Sequence, residues 1–326
     1  MSQQNTVGAT SGNNIQLASA TLDVWSKEIL YKAQPNLKFE TIAQQRTELG
    51  TLPGNKINFL KYNSLTGAAQ LAETTPMVTD VLSTSTISIS VFEQGKALAF
   101  TEYLLRSSFL NVMDNASTLL GMHYASSRDS LIRDTLLAGS NVKYSQAGGT
   151  AASRADLNVG STFNVSLVRD AVEFLATNKA PKFNGDAYVC FVHPHQARYL
   201  RADPAWINVA NYAAPENMMT GEIGRIEDVR FIETSQVPYV KAATQNIYFD
   251  GTWDGSTVTS LPANNATDSY RAVVVGDYAV GIADGLPVEM RDNGVVDFGR
   301  SHALAWYAIY GSGLIETAHS LILETA

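Results

Sequence analysis

Two histidines, His193 and His195, flank Pro194 and are the residues of this chain best placed to begin a metal site. A complete zinc site needs four ligands, drawn from cysteine, histidine and carboxylate side chains at short spacings. No such partners follow the pair, so the sequence favours a simpler interpretation, in which both histidines belong to a turn and the start of a helix. The single cysteine, Cys190, lies in an apolar run and is expected to be a buried small residue.

Motifs of the common enzyme classes are missing from the sequence. It contains no Gly-x-x-x-x-Gly-Lys-Ser/Thr phosphate loop, no His-Glu-x-x-His zinc motif and no Gly-x-Ser-x-Gly nucleophile elbow. Gly221 and Gly224 lack the spacing of a dinucleotide-binding loop, and a strand is predicted after them where a helix should begin. Asp292, Asn293 and Asp297 could ligate a cation, but their spacing is more typical of a solvated turn. The sequence therefore predicts no catalytic, cofactor-binding or metal-binding residue.

The composition indicates a large, acidic and weakly charged chain. Of its 326 residues, 45% are hydrophobic and 17% are charged, and the formal net charge is −8. This is enough apolar material for one large domain or two interleaved ones, whereas the charged fraction is below the usual value of about a quarter. Lys and Arg form no run, which argues against sequence-specific nucleic-acid binding but not against a wall that encloses DNA. Neither a signal peptide nor an apolar run of about 18 residues is present, so we expect folding in a reducing cytoplasm without a membrane span.

The elements that position these residues are organised around one long predicted helix, Thr101 to Gly139. Apolar residues recur at helical spacing, no proline interrupts the run, and Gly139 marks its end. At about 1.5 Å per residue such a helix reaches roughly 45–55 Å, which is longer than a compact domain needs. The expected buried face carries Leu105, Phe109, Val112, Ala116, Leu119, Leu120, Leu131, Ile132, Thr135 and Leu136, with His123 as a packed polar residue. The expected polar face carries Arg106, Asn111, Asp114, Asn115, Ser127 and Arg128.

Before this helix the chain carries segments with little to bury on their own. A polar tail at 2–14 precedes a predicted helix at 18–33, and residues 39–45 are predicted to continue the helical segment. Residues 56–62 and 86–91 are predicted strands, separated by a long polar loop. Two strands with such a tip form an extended hairpin that is marginally stable alone, so we expect a neighbouring subunit to stabilise it.

After the helix the pattern changes to alternating helices and strands, typical of a mixed layer. Residues 141–162 are predicted to be an exposed connector, and Asn164 is predicted to cap the next helix. The predicted helices are 165–178 and 195–203. The predicted strands are 187–193, 228–233, 246–249, 271–275, 286–291, 302–315 and 320–324, with a loop rich in Gly, Asn, Thr and Ser at 250–269 and a turn at 292–294.

Two local motifs carry a resemblance to a known family. His193-Pro194-His195-Gln196 with Tyr199-Leu200-Arg201 looks like the segment after the first central strand in the N4-type coat proteins. The run from Gly221 to Thr234, GEIGRIEDVRFIET, looks like the same family's motif of glycine turns leading into a strand. Together with the order of elements, these motifs resemble the HK97-like major capsid proteins of tailed phages.

The resemblance implies an α+β fold with named parts. The N-terminal arm would span 1–48 and the extended hairpin loop 49–100. The peripheral domain, with a spine helix and a long β ribbon, would span 101–162 and 281–317. The central α/β axial domain would span 163–280 and 318–326. Lys56 and Lys61 lie in the unit through which some relatives cross-link, but cross-linking is not expected here.

The resemblance also implies a function. The chain would be a major capsid protein, not an enzyme, that self-assembles through pentamers and hexamers into an icosahedral shell around double-stranded DNA. Assembly would occur in the cytoplasm of a bacterial host, with a portal protein, a separate scaffolding protein (because no cleaved segment fits before the arm) and, as an option, a decoration protein. An encapsulin-like cargo compartment and a cytoplasmic α/β enzyme remain the alternatives.

Overall fold

A computed structural model describes residues 38–50, 54–62, 65, 67–68, 70, 79, 81–108, 111–145, 153–206, 222–242, 246–249, 252–257, 268–298 and 300–326. The predicted tail at 2–14 and helix at 18–33 lie outside these residues. The helices are α1 (Glu102–Ser107), α2 (Val112–Leu137), α3 (Val165–Thr177) and α4 (Pro194–Ala202). The strands are β1 (Gln44–Arg46), β2 (Lys56–Tyr62), β3 (Thr84–Ser90), β4 (Phe92–Thr101), β5 (Val142–Tyr144), β6 (Tyr188–Val192), β7 (Glu222–Ile226), β8 (Val229–Glu233), β9 (Tyr239–Val240), β10 (Asn246–Phe249), β11 (Thr252–Thr257), β12 (Ser269–Val275), β13 (Val280–Val296), β14 (Ser301–Leu314) and β15 (Ser320–Thr325). Within the described ranges, no helix is both long and apolar enough to cross a membrane.

The strands form a nine-stranded, a four-stranded and a two-stranded sheet. In the nine-stranded sheet the order is β11, β10, β9, β12, β6, β8 and β7, and β15 pairs with both β12 and β5. In the four-stranded sheet the order is β1, β13, β14 and β4. β2 and β3 pair as the predicted hairpin, in register from Lys56 with Ser90 to Tyr62 with Thr84. β4, which lies in the predicted hairpin unit, pairs with β14 instead.

The central strands of the nine-stranded sheet, β6 and β12, are buried on both faces, so their side chains alternate between two cores. Tyr188, Cys190 and Val192 of β6 pack with α3 and α4, whereas Val189 and Phe191 face α2. A strand covered on both faces is a continuous apolar run in the sequence, which is why this one was predictable. The predicted cap of α3 is also present, because Asn164 Oδ1 accepts the N–H of Leu167 at 2.9 Å.

The long helix predicted from 101 to 139 is not continuous. α1 ends at Ser107, Ser108 is extended (φ −77°, ψ 134°), and α2 begins after Asn111, whose side chain accepts the N–H of Asp114 at 3.4 Å. The helical spacing of apolar residues continues through the break, but local caps end the first helix and begin the second. α2 has 26 residues, which gives a length of about 39 Å.

The predicted polar face of this helix is wrong at Arg128. That residue is only 7% exposed, and Asp129 and Arg133 are also buried, at 1% and 5%. Burial of these charged side chains is tolerated because each has a charged or polar partner. His123, by contrast, lies at the surface, where its Nδ1 accepts the Nε1–H of Trp306 at 3.2 Å.

Backbone pairing corrects three other predictions. Val142–Tyr144, predicted as exposed connector, forms β5 and pairs in parallel with β15. The turn predicted at 292–294 is a bulge inside β13, where the pairing with β14 shifts, and the chain reverses at 297–300 instead. The helical continuation predicted at 39–45 is a short 3₁₀ turn, Phe39–Ile42, followed by β1. β13 and β14 therefore form a ribbon that is longer than the sequence predicts.

Candidate assembly surfaces

The histidine pair builds the start of α4. His193 Nδ1 accepts the N–H of His195 at 3.1 Å, and the N–H of His193 donates to Gln196 Oε1 at 3.2 Å, so the two ends of a capping box are satisfied. The His195 ring stacks on Tyr270 with centroids 4.3 Å apart. Burial, followed by the charge of His195, lowers the pKa of His193 to about 4. In the part of the chain that the structure describes, no group of three or more His, Cys, Asp or Glu side chains is placed to hold a metal ion.

The other residues with candidate chemistry also have structural partners. Cys190 is fully buried, and burial raises the pKa of its thiol, which makes the thiolate form unfavourable. Asp292 Oδ1 accepts the N–H of Gly294 at 2.7 Å and lies 3.0 Å from His302 Nε2, so it holds the β13 bulge to β14. Asp297 closes the ribbon turn and pairs with Arg300 at 3.7 Å.

The second sequence motif forms a tight hairpin at the edge of the nine-stranded sheet. β7 and β8 are joined by Glu227 and Asp228, both with positive φ (49° and 62°). Hydrogen bonds from Lys182 and Arg225 to the Asp228 carboxylate lower its pKa. β8 then runs parallel to β6, so the motif sets the position of the buried strand beside it.

One face of the β2–β3 hairpin is seated on the ribbon of the same chain. Ile89 is 2% exposed and fits against Gly281 and Gly313, where an added Cβ would lie 3.1 Å and 2.9 Å from it. Lys61 pairs with Glu316, and this hydrogen bond lowers the pKa of that carboxyl group. The hairpin base is thus held by its own subunit, and Lys61 is engaged in an ion pair.

The opposite face of the hairpin points outward. Because side chains alternate along a strand, Lys56, Asn58, Leu60 and Tyr62 share this face. Leu60 is 58% exposed and Tyr62 is 61% exposed, although both are large and apolar. Leu60 and Tyr62 are neighbours on this face, and we call the two the apolar row of the hairpin; exposed apolar neighbours of this kind are typical of contact surfaces.

A second outward surface lies on the four-stranded sheet, on the side away from α2. Trp306, Ala308 and Tyr310 of β14 are buried on the α2 side. The intervening residues form a flat patch of small side chains with a polar border. The patch consists of Gly95, Ala97 and Ala99 of β4 with Ala303 and Ala305 of β14, bordered by Glu93, Glu289, Arg291 and Tyr307. We call it the small-residue face.

A model of the phage capsid protein family matches residues 84–318. The chain belongs to the phage capsid protein family. It is similar in fold to the capsid asymmetric unit of cyanophage Pam1, with 15% identity over 97% of this chain and 99% of that chain and a TM-score of 0.74. The capsid of cyanophage P-SCSP1u gives 15% identity, 98% and 97% coverage and a TM-score of 0.71. The capsid of Ralstonia phage GP4 gives 16% identity, 98% coverage of both chains and a TM-score of 0.69. No curated protein sequence matches the chain.

The capsid protein therefore has the predicted HK97-like α+β fold and is a subunit of a phage head shell. It is a structural protein and not an enzyme, which makes the cytoplasmic α/β enzyme alternative wrong. Its place is the virion capsid, where it assembles with copies of itself.

The sequence did not predict the buried charges of the capsid protein or the three glycines under its hairpin, which we call the glycine seat. Arg128, Glu40 and Asp284 meet although they are 88 and 156 residues apart in the chain. Gly281, Gly311 and Gly313 lie under the hairpin, and the spacing of the last two, on one face of a strand, was the available signal. No local sequence pattern indicates that the three charged residues meet in the folded chain.

Proposed function

We propose that this capsid protein assembles through pentamers and hexamers into an icosahedral shell that encloses the double-stranded DNA of a tailed phage. The observation that carries the proposal is the pair of outward surfaces on one subunit, the apolar row of the hairpin and the small-residue face. Two different complementary patches on one chain make a head-to-tail contact, and such contacts close into rings when the rotation permits.

The two surfaces are complementary in shape and charge. Leu60 and Tyr62 project from the hairpin, while Ala97 and Ala305 leave a flat surface on which a second sheet can pack closely. Lys56 shares the hairpin face with Leu60, and the border of the small-residue face carries Glu93 beside the Glu289–Arg291 ion pair (3.0 Å). We therefore place the hairpin of one subunit over the small-residue face of the next.

The division into parts stays a proposal with the boundaries expected from the sequence. The arm is 1–48, the hairpin loop 49–100, the peripheral domain 101–162 with 281–317, and the axial domain 163–280 with 318–326. The grouping of most strands into a four-stranded and a nine-stranded sheet supports it. β4 and β5 each pair across these boundaries and tie the parts together.

The remaining partners are proposed from the family. A chain with a net charge of −8 and no run of Lys or Arg suits a wall that contains DNA without binding it by sequence. A scaffolding protein, a portal protein and a decoration protein would complete the head, and assembly would take place in the host cytoplasm. Particles that copurify with DNA of genome length would favour this over an encapsulin-like compartment, which would hold protein cargo.

Substitution of Leu60 or Ala305 by Asp tests the contact. Each variant places a charged side chain in the proposed interface, and the loss of a central apolar contact costs about 2 kcal/mol or more, which is about thirtyfold in affinity per contact. We expect wild-type subunits to form closed shells by electron microscopy and sedimentation, and each variant to stay as folded, unassembled subunits at the same concentration.

Val159→Asp is the matched control, because Val159 is 76% exposed and lies outside both surfaces. It should assemble like the wild type. Normal shells from both Leu60→Asp and Ala305→Asp would refute the hairpin contact, and a wild-type chain that never assembles would refute the shell proposal.

A further inference from the structure

The segment that leads from the arm into the subunit is held at a junction of three elements. Phe39 is 1% exposed and stacks on Phe191 of β6 with centroids 4.3 Å apart. The backbone N–H groups of Phe39 and Glu40 donate to Asp129 Oδ1 of α2 at 2.8 Å and 3.1 Å. The carboxylate of Asp129 thus satisfies donors at the start of a short 3₁₀ turn that has no cap of its own.

Arg128 lies beside this turn and connects it to the ribbon. Its Nη1 and Nη2 donate to Asp284 Oδ1 and Oδ2 of β13 at 2.7 Å and 2.9 Å, and its Nε donates to Glu40 Oε1 at 2.7 Å. Nη1 also donates to the hydroxyl of Tyr124 at 3.3 Å. One guanidinium group on α2 therefore binds a carboxylate of the ribbon and a carboxylate of the incoming segment.

The two carboxylates are not equivalent. The side chain of Asp284 is 17% exposed and binds Arg128 in a bidentate pair, whereas that of Glu40 is 42% exposed. Burial alone would lower the pKa of Arg128, but the hydrogen bond and charge of Asp284 raise it above its ordinary value, so the cation persists. Asp284 thus compensates the buried charge by itself, and Glu40 can leave without creating an unpaired buried ion.

The strand that follows the turn needs this support. β1 has only three residues, and it pairs in parallel with Gly281, Ile282 and Ala283, directly before Asp284. Parallel pairing over three residues is weak. The Arg128 contacts fix Glu40 and Asp284 at one point and so set the register of β1 against β13.

We propose that Glu40 and Arg128 form a latch that positions residues 38–46 on the subunit, and that the closed latch is required for shell assembly but not for the fold of the subunit. Arg128 is the positioning residue, and it acts on the arm through Glu40. Residues 38–46 then take the same position in every subunit, which repeated contacts between subunits require. The part that concerns assembly rests on the proposed shell function.

The test uses the full-length chain with Glu40→Gln, which removes the charge and keeps the size of the side chain. In unassembled subunits we expect hydrogen exchange of the amides at 38–46 to become at least about tenfold faster, while the melting temperature stays within about 2 °C of the wild type. The yield of closed shells should fall by at least about tenfold. Glu102→Gln is the matched control, because it removes the exposed pair with Arg106 (2.7 Å) on α1 and should change none of the three readouts.

Unchanged exchange at 38–46 in Glu40→Gln would overturn the latch. A loss of shells that comes with a large fall in melting temperature would also overturn it, because the residue would then serve the fold. If the wild-type chain fails to assemble, the proposed function fails, while the exchange measurement on subunits still decides whether the latch exists.

Discussion

Gly311 stands where the hairpin meets the ribbon, and its missing side chain sets how closely the two can approach. A Cβ at this position would overlap the backbone carbonyl oxygen of Ser90, which belongs to β3 and cannot rotate away. Gly281 and Gly313 give the same room to Ile89. The seat of the hairpin is therefore a set of backbone contacts that any larger residue would separate.

We expect Gly311→Ala to destabilise the subunit by about 2–3 kcal/mol, because overpacking forces the backbone apart. The measurement is urea unfolding of unassembled subunits, and the exchange of amides in β3 should rise. Gly121→Ala is the control, since nothing lies within 4 Å of an added Cβ there. Because Gly121 is inside α2, its replacement should stabilise the subunit by up to about 1 kcal/mol. Equal stability of the two variants would contradict the glycine seat.

At the residue scale, the sequence predicts those structural features that are decided by residues close together in the chain. The cap at Asn164 and the burial of Cys190 follow from three or four adjacent residues. Arg128 does not, because helical periodicity places every charged residue on the solvent face by default. Its burial depends on Asp284, which tertiary structure alone brings to it.

At the scale of elements, the start of α4 is a pH-sensitive point. His193 faces His195, Tyr239 and Tyr270, with ring centroids 4.8 Å apart in the pair with Tyr270. Its pKa in the folded chain is about 4, below the ordinary 6.5, so folding favours the neutral ring. The unfolded chain binds a proton at His193 below about pH 6.5, and the folded chain does so only near pH 4. The contribution of the neutral ring to stability is therefore present above pH 6.5 and lost as the pH falls toward 4.

We expect His193→Asn to flatten this dependence, since Asn is a good N-cap that does not titrate. Between pH 6.5 and 4.5 the melting temperature of the wild type should fall by several degrees more than that of the variant. Circular dichroism melts at half-unit steps in pH would show it. Parallel curves for the two proteins would contradict the assignment to His193.

Element boundaries were predictable only where local chemistry decided them. Asp292-Asn293-Gly294 has the composition of a hairpin turn, yet here it forms a bulge, because β4 pairs with β14 from Ser301 onward and holds the ribbon open beyond it. β5 is three residues long and carries no period, so its pairing with β15 left no trace in the sequence. In both cases a neighbouring strand overrides the local signal.

At the scale of the whole molecule, the sequence predicts the type of protein better than its surfaces. Marginal segments, a weakly charged composition and the two motifs were enough to indicate a shell subunit. The small-residue face was not predicted, because alanines and a glycine spaced two apart on neighbouring strands form a surface only after β4 pairs with β14. An assembly contact is a property of the folded sheet, and local patterns do not report it.

The net charge of −8 per subunit predicts how salt affects assembly. At about 0.01 M salt the screening length is about 30 Å, so neighbouring subunits repel, whereas at about 0.1 M it is about 10 Å. The proposed hairpin contact is mainly apolar and weakly affected by salt. We therefore expect the subunit concentration needed for shells to fall as salt rises from about 0.01 to 0.3 M, as measured by light scattering. Neutralising Glu173 by Gln changes the net charge from −8 to −7 and should make this dependence shallower. A threshold that rises with salt would mean that ion pairs such as those of Lys56, and not the apolar row, dominate the contact.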